Sequence, residues 1–484
     1  MADLIVKREF LTTLPCLTWG WLDRAAPPVP SGPALAWRFH VGREVQAMAR
    51  AFLGPGRFPA FAPLDDAERS TRDALDDPAG TLVFEATFLW REFVARADAL
   101  RRTPAGWELI EIKSGTTPAD GAPKDEYLDD VAYTAMVATN AGLPVSKVSL
   151  VLLDREYRLG EDRPLLATVD VTEDALLRAE AFAGQAPAVA AALAADAAPE
   201  PSLRFVCRDC PHFDTQCVGR GVPDPLFVLP NLRETRFEEL RPYERVSRIP
   251  PDVPLAPSQE RIAQVVRANA PHVDRKALGI LDDVTWPAYY LDFEAVSPPL
   301  PWFPGCPPYH ATPFQYSLHV CDAPGAPTAH HEYLAPAAGD WRRELTEHLL
   351  ARLGASGSIV VYSSYEKTQL GRLAEQFPDL ERPIGAVIAR LFDLERVFKQ
   401  GYIHPGFRGR TSIKKVLPVM TNGVGYDGLA VRDGEAAAAV FALMRTGQYP
   451  EETHAAHRAN LLAYCRLDTE AMVRLHQAVL DVRA

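Results

Sequence analysis

The sequence predicts an α/β protein of two units separated by a proline- and arginine-rich connector, and three observations carry that expectation. Strand-like runs precede helical runs in two separate stretches of the chain. Between them, over residues 218–287, the composition shifts to Pro, Arg and Glu, with Arg-Ile-Pro-Pro-Asp-Val-Pro at 248–254. The length of 484 residues, 47% hydrophobic and 24% charged, suits a globular chain of about two or three domains and excludes disorder and collagen-like repetition. The expected layout is therefore a first domain over 1–220, a connector over 221–286 and a second domain over 287–484.

In the first domain an amphipathic segment at 38–53 leads to three strand-like runs, 82–84, 93–101 and 107–113. A helical run at 126–141, a β-rich run at 147–153 and an alanine-rich helix at 172–195 follow. The connector reads as irregular apart from one short helix at 258–269. The second domain opens with the hydrophobic run 288–293, continues with strands at 314–320 and 359–362, and turns helical from 427 onward.

Lys plus Arg total 51 against 63 Asp plus Glu, a net charge of −12, which argues against indiscriminate coating of nucleic acid but leaves room for a local basic channel. The apolar stretch 186–198 is broken by aspartate and falls short of the roughly 18 residues a bilayer span needs, so no membrane association is expected. Acids and bases stand near the start where a secretory peptide would carry its apolar core, and a cytoplasmic location is expected.

In a reducing compartment seven cysteines suit metal better than disulfides. Cys207-x2-Cys210-x6-Cys217 puts three thiols in one loop, with Cys16 near the N-terminus as a fourth. Four soft ligands fit an iron–sulfur cluster or zinc, with His212 a competing fourth ligand for zinc. Cys306, Cys321 and Cys465 read as isolated core or surface residues.

Asp98 lies on one expected strand and Glu111 with Lys113 on the next, where period-2 alternation gives the latter two one face. A hairpin through Thr103-Pro-Ala-Gly106 brings Asp98 beside them. Two carboxylates bind a hard divalent cation and a nearby lysine stabilises charge or positions water; the plainer alternative is a solvated edge hairpin. The pattern Asp98…Glu111-x-Lys113 resembles the PD-(D/E)XK nuclease core. With the flanking cysteines, residues 10–220 resemble RecB-type nucleases of the CRISPR-associated iron–sulfur family. That resemblance implies a restriction-endonuclease-like fold, Mg²⁺ or Mn²⁺ on Asp98 and Glu111, assistance from Lys113, and a [4Fe-4S] cluster on Cys16, Cys207, Cys210 and Cys217, with Zn²⁺ as the alternative. Two departures stand out: Gln46 occupies the place of the family's first-helix histidine, with Glu44 or Glu85 as substitutes, and Tyr133-Thr134 stands where a glutamine is usual.

Asp292 and Glu294, at i and i+2 where the hydrophobic run ends, share one strand face, while Tyr464 and Asp468, at i and i+4, share one helical face. Glu366 falls at a strand–helix turn between them. The order resembles the DnaQ-like 3′–5′ exonucleases of the RNase H-like fold, over residues 287–480. Their first motif is matched by Asp292 and Glu294 and their last by Tyr464 and Asp468. Thr411-Ser-Ile-Lys-Lys415 is similar to the Ser-Leu-Lys segment ahead of that last motif, and Glu366 replaces the usual central aspartate. The resemblance implies two cations held by Asp292, Glu294, Glu366 and Asp468, with Tyr464 orienting water. The whole chain resembles an uncharacterised bacterial family that joins these two modules.

From 396 to 415 six basic residues, Arg408, Arg410, Lys414 and Lys415 among them, are interleaved with Phe398, Tyr402, His404 and Phe407 and with no acid. Basic groups hold phosphates and rings stack bases, which suits a single-strand channel; a solvated loop is the alternative. No P-loop, dinucleotide fingerprint or nucleophile elbow occurs. The resulting expectation is a metal-dependent nuclease acting on nucleic acid, DNA favoured over RNA, at single strands or ends, by exonucleolytic action, in repair, recombination or anti-phage defence. The competing expectation is a nucleic-acid-binding scaffold with one or both sites degenerate.

Overall fold

In the computed structural model, which describes residues 4–27 and 31–483, the first sheet is built on the alternating run that becomes β3. The elements in order are β1 (Ile5–Val6), α1 (Lys7–Thr13), α2 (Leu17–Ala25), α3 (Pro33–Leu53), α4 (Leu64–Asp76), β2 (Leu82–Trp90), β3 (Phe93–Thr103), β4 (Gly106–Thr116), α5 (Asp125–Asn140), β5 (Val145–Leu153), β6 (Leu166–Asp170), α6 (Thr172–Leu193) and α7 (Phe213–Gln216). β2 runs antiparallel along one edge of β3. The other edge is shared: β1 pairs at Phe93 and Val94, and β4 pairs from Ala99 to Thr103. Asp98 falls between those two ladders. β4 and β5 are parallel, as their α5 crossover requires, and β6 closes the sheet antiparallel. α5 is buried along most of its length, through Val131, Ala132, Tyr133, Ala135 and Met136. The Tyr133 hydroxyl donates to the carbonyls of Ile5 and Val94 at 2.9 and 3.0 Å, tying α5 to β1 and β3.

The second unit comprises α8 (Glu234–Leu240), α9 (Pro257–Ala268), β7 (His272–Val273), β8 (Ala288–Val296), β9 (Thr312–Cys321), β10 (Thr328–Leu334), α10 (Arg342–Arg352), β11 (Ile359–Val361), α11 (Tyr365–Gln376), α12 (Glu381–Ile388), β12 (Leu391–Asp393), α13 (Glu395–Gln400), β13 (Tyr402–Ile403), α14 (Ile413–Met420), α15 (Gly434–Arg445) and α16 (His454–Arg483). Its main sheet has the order β10-β9-β8-β11-β12. β8 is antiparallel to β9 and parallel to β11, which is parallel to β12. β8 therefore sits where the sheet changes sense, and the carboxyl ends of three parallel strands point the same way, the usual place for an α/β ligand crevice.

The chain is thus α/β with two mixed sheets. Residues 38–220 and 299–309 group with the described N-terminal residues in one unit, and 221–298 with 310–483 and 31–37 in the other. The stretch expected as an irregular connector instead carries two helices and several single turns, and it buries Leu226, Phe237, Leu240, Val246 and Ile249. Its prolines break helices without stopping the residues between them from packing. β2 extends past the expected 82–84 to Trp90; Glu85 interrupts the apolar run and hides the continuation. No helix among the described residues is long and apolar enough to cross a membrane.

Candidate metal centres

In the first unit the gap in the β3 edge creates the site. β4 diverges after Ile110, and the Asp98 Oδ2 accepts the Ile112 backbone N–H at 2.7 Å where a ladder bond would otherwise continue. Asp98 Oδ1 accepts from Gln46 Nε2 at 2.9 Å. Glu111 Oε1 is held by Lys7 at 2.7 Å and Lys113 at 3.1 Å, and Lys113 also pairs with Asp130 of α5. Its other oxygen, Glu111 Oε2, is buried with no hydrogen-bond partner. An orphaned carboxylate oxygen is costly unless a cation or water meets it.

Although Asp98 keeps some accessible surface, protein encloses its carboxylate. Burial, with Glu111 adding repulsion, pushes its pKa up to about 7, against the opposing effects of Ile112, Gln46 and Lys7. For Lys113, burial acts to lower the pKa, but Glu111 and Asp130 outweigh it and hold the ammonium charged. Gln46, the residue that sequence comparison set in place of a histidine, thus lies beside Asp98, with Arg50 donating to its Oε1 at 3.1 Å. Glu44 is exposed, and Glu85 is bound by Arg50 at 2.5 Å. Glu85 falls opposite Asp98 in the β2–β3 register with φ of +55°, a left-handed conformation that costs energy inside a strand. Beside the centre a cleft of about 570 Å³ is lined by Arg38, Phe39, Arg43, Gln46, Arg50 and Lys113, with no acid among its lining residues.

The four cysteines converge in the same unit. Burial raises Cys207, and Cys16 and Cys217 add repulsion. Burial likewise pushes Cys210 up to about 11, with Cys207, Cys16 and Cys217 all contributing. Among the described residues no three of these sulfurs lie within 4.8 Å of one another, whereas a zinc–sulfur bond of about 2.3 Å requires sulfurs about 3.8 Å apart. His212 does not serve as a fourth ligand as it stands: Nε2 meets Asp23 at 2.7 Å and Nδ1 meets Gln216 at 2.9 Å.

The second unit brings together Asp292, Glu294, Glu366 and Asp468. Tyr290, Asp292 and Glu294 share one face of β8, opposite His319, Ser317 and Gln315 of β9. A bulge between Glu294 and Ala295 ends the regular ladder there. α16 lies over this polar face and is pinned to it. Gln315 Nε2 donates to the Leu461 carbonyl at 2.9 Å, and Thr469 Oγ1 bonds Ser317 Oγ and His319 Nδ1 at 2.7 and 2.8 Å. Helical phase then directs Tyr464, Cys465 and Asp468 toward β8.

Burial raises both Asp292 and Glu294 well above the carboxylate range, and repulsion from Asp468 is the next cause for each. Glu366, in the first turn of α11, is pushed up to about 8 by burial, with Asp393 and Asp468 adding to it, and its Oε2 is buried without a partner. Asp468 rises to about 6 through burial, moderated by hydrogen bonds from Tyr426 and Tyr464 and by Lys414. Tyr426 donates to Asp468 Oδ1 at 2.5 Å, and Lys414 Nζ donates to the Tyr464 hydroxyl at 3.0 Å. Asp292, Glu294 and Cys465 hold one potential ligand atom each within 4.8 Å of one another.

Sequence reasoning missed Lys7, Asp130, Tyr426 and Asp393, which are remote in sequence and belong to no local pattern. It also misread Cys465 as isolated: its Sγ lies 3.5 Å from Asp292 Oδ2. The proposed stacking rings are a further correction. Phe398, Tyr402 and Phe407 are buried and pack on one another or on His404, so they offer no face to a base. Arg408, Arg410 and Lys415 are exposed, while Lys414 turns inward to Tyr464 and the Arg432 carbonyl.

A family described as a domain of unknown function, DUF2779, matches residues 289–412. That span takes in Asp292, Glu294, Glu366 and Asp393 and ends before Tyr426, Tyr464 and Asp468. No curated protein matches the chain.

Proposed function

We propose that this protein is a metal-dependent nuclease that hydrolyses phosphodiester bonds, DNA favoured, at two centres on one chain. In this reading the first unit is restriction-endonuclease-like and the second RNase H-like, as in the bacterial two-module family the sequence resembles. The observation that carries the proposal is the convergence of Asp292, Glu294, Glu366 and Asp468, from β8, α11 and α16, on one buried locus with an orphaned Glu366 oxygen. Four raised carboxylates with a single lysine, Lys414, as nearby counter-charge fit divalent cations, and a bound cation supplies charge stabilisation and activates water at a phosphate. Around that locus Lys414 donates to the Tyr464 hydroxyl, and Tyr426 holds one Asp468 oxygen.

At the first centre Asp98 and Glu111 are the cation ligands and Lys113 is the residue beside the attacking water. Gln46 holds the Asp98 carboxylate through its amide nitrogen, while its carbonyl oxygen accepts from Arg50. The cleft with Arg38, Arg43, Arg50 and Lys113 supports a polyanionic ligand despite the net charge of −12. The mutual repulsion of Cys16, Cys207, Cys210 and Cys217 supports a shared soft-metal centre in the first unit, a [4Fe-4S] cluster with Zn²⁺ as the alternative.

The test is cleavage of labelled single- and double-stranded DNA and RNA with Mg²⁺ or Mn²⁺ by the wild type, Lys113→Ala, Asp292→Ala and the double variant. Each single change is expected to remove one activity and the double change all of it. Binding without cleavage by every protein would replace the nuclease with a scaffold. A brown anaerobic preparation with blue-end absorbance is expected for the cluster; a colourless one with stoichiometric zinc would refute it.

A further inference from the structure

Cys465 is the side chain in the second centre that a hard-metal site does not need. Buried free thiols ordinarily pack among apolar groups, but this one faces a carboxylate, with Sγ 3.5 Å from Asp292 Oδ2 and 3.9 Å from the Asp292 carbonyl. Its sulfur and one oxygen each of Asp292 and Glu294 fall within 4.8 Å of one another, close enough for one ion to touch all three after small side-chain shifts. A second observation also points to a ligand. Glu366 is 3% exposed, its Oε2 has no partner, and its charge acts on both Asp292 and Glu294. The donor set is therefore two or three carboxylate oxygens and one sulfur.

Donor chemistry then selects the ion. Mg²⁺ takes oxygen ligands in near-octahedral geometry and gains nothing from sulfur, whereas sulfur favours borderline and softer divalent ions. We propose that Asp292, Glu294 and Cys465 form a mixed thiolate–carboxylate site for a borderline divalent transition ion of the zinc, cobalt or iron(II) class, in preference to Mg²⁺. Binding forms a metal–sulfur bond, breaks the Cys465 S–H bond and releases that proton to solvent; no electron is transferred. The inference rests on the reading of this centre as a cation site and goes beyond it in naming the ion class and the thiol ligand.

Cobalt(II) titration of the full chain tests it, comparing the wild type with Cys465→Ser and Asp292→Asn after chelation. The four-cysteine group contributes alike to all three proteins and cancels in difference spectra. The wild type minus Cys465→Ser difference is expected to contain a near-ultraviolet sulfur-to-cobalt charge-transfer band. Asp292→Asn, which keeps the thiol, is expected to lose the same band. Cobalt affinity at this centre should fall by about 10- to 100-fold in Cys465→Ser, at least the loss that follows removal of an outer partner of a ligand, with Mg²⁺ affinity little changed. Identical wild-type and Cys465→Ser spectra would overturn the thiol ligand, even if cleavage with Mg²⁺ proceeds. A Cys465-dependent band in a protein that cleaves nothing would sustain the site while the nuclease reading fails.

Discussion

Asp98→Asn should make the cation-free protein more stable at neutral pH, and the structure sets the size of the gain. The Asp98 carboxyl is raised from 3.8 to about 7, chiefly by burial. Between those values the folded chain retains a proton that the unfolded chain has released, so stability falls as pH rises from about 4 to about 7 and levels off above. A rise of about three pH units at 1.36 kcal/mol each amounts to about 4 kcal/mol at full ionisation. The surface Asp98 retains screens part of that, and an asparagine amide mismatches one of the bonds to Gln46 and Ile112 at about 1 kcal/mol. A net gain of about 2 kcal/mol is expected at pH 7, equivalent to about 4–8 °C in the transition of the first unit, and almost none at pH 4. Urea and thermal unfolding in chelator, followed by circular dichroism at several pH values, measure it. Added Mn²⁺ should stabilise the first-unit transition of the wild type and leave that transition unmoved in Asp98→Asn. If Asp98→Asn were no more stable than the wild type at pH 7 in chelator, the burial argument would be wrong.

Three further outcomes follow from the second unit. Tyr426→Phe removes the hydrogen bond that holds the Asp468 pKa down, so that pKa should rise from about 6; the acidic limb of the pH–activity profile should move to higher pH by about one unit or more, and an unmoved limb would refute the role. Thr469→Val leaves Ser317 and His319 without the hydroxyl they share, which should cost about 1–3 kcal/mol in chemical denaturation and weaken cation affinity by freeing α16 from β9. Returning Mn²⁺ to chelated protein should slow hydrogen exchange more at β8 and α16 than at β3 and β4. At 100 times Kd the stabilisation is about 2.7 kcal/mol, and equal protection in both units would contradict the charge balance argued below.

Much of this architecture was legible in short periodicities. The alternation over β3 and β4 put Glu111 and Lys113 on one face, and the apolar run ending at Asp292 and Glu294 marked β8 and its exit. Tyr464 and Asp468 kept the helical phase their spacing gave them. What local pattern cannot carry is direction and distance. The interleaved rings near residue 400 read as an open stacking surface because composition does not distinguish a ring that faces solvent from one that faces Phe407. Lys7 reaches Glu111 from the first residue of α1, Gln46 reaches Asp98 across 52 residues, and Tyr426 reaches Asp468 from a loop. Each is a contact of tertiary packing; Gln46 is marked by its place in the first-helix pattern, and Lys7 and Tyr426 carry no sequence signal of their own.

The two centres handle the same electrostatic problem differently. At the first, Asp98 and Glu111 are met by two resident lysines, Lys7 and Lys113, and the acid-bound neighbour Asp130 shares the second of these. Local charge is close to balanced, which leaves one orphaned oxygen and one raised carboxyl. At the second, Asp292, Glu294, Glu366 and Asp468 share a single nearby lysine, Lys414, which bonds the Tyr464 hydroxyl and a backbone carbonyl and reaches the carboxylates only through space. Four crowded acids with one indirect counter-charge cannot all ionise, and the hydrogen bonds from Tyr426, Tyr464 and Cys465 relieve only Asp468 and Asp292 in part. An ion of two positive charges removes that constraint at the second centre and merely completes the first. Under the proposed two-centre reading, dependence on bound cation therefore belongs more to the fold of β8 and α16 than to that of β3 and β4.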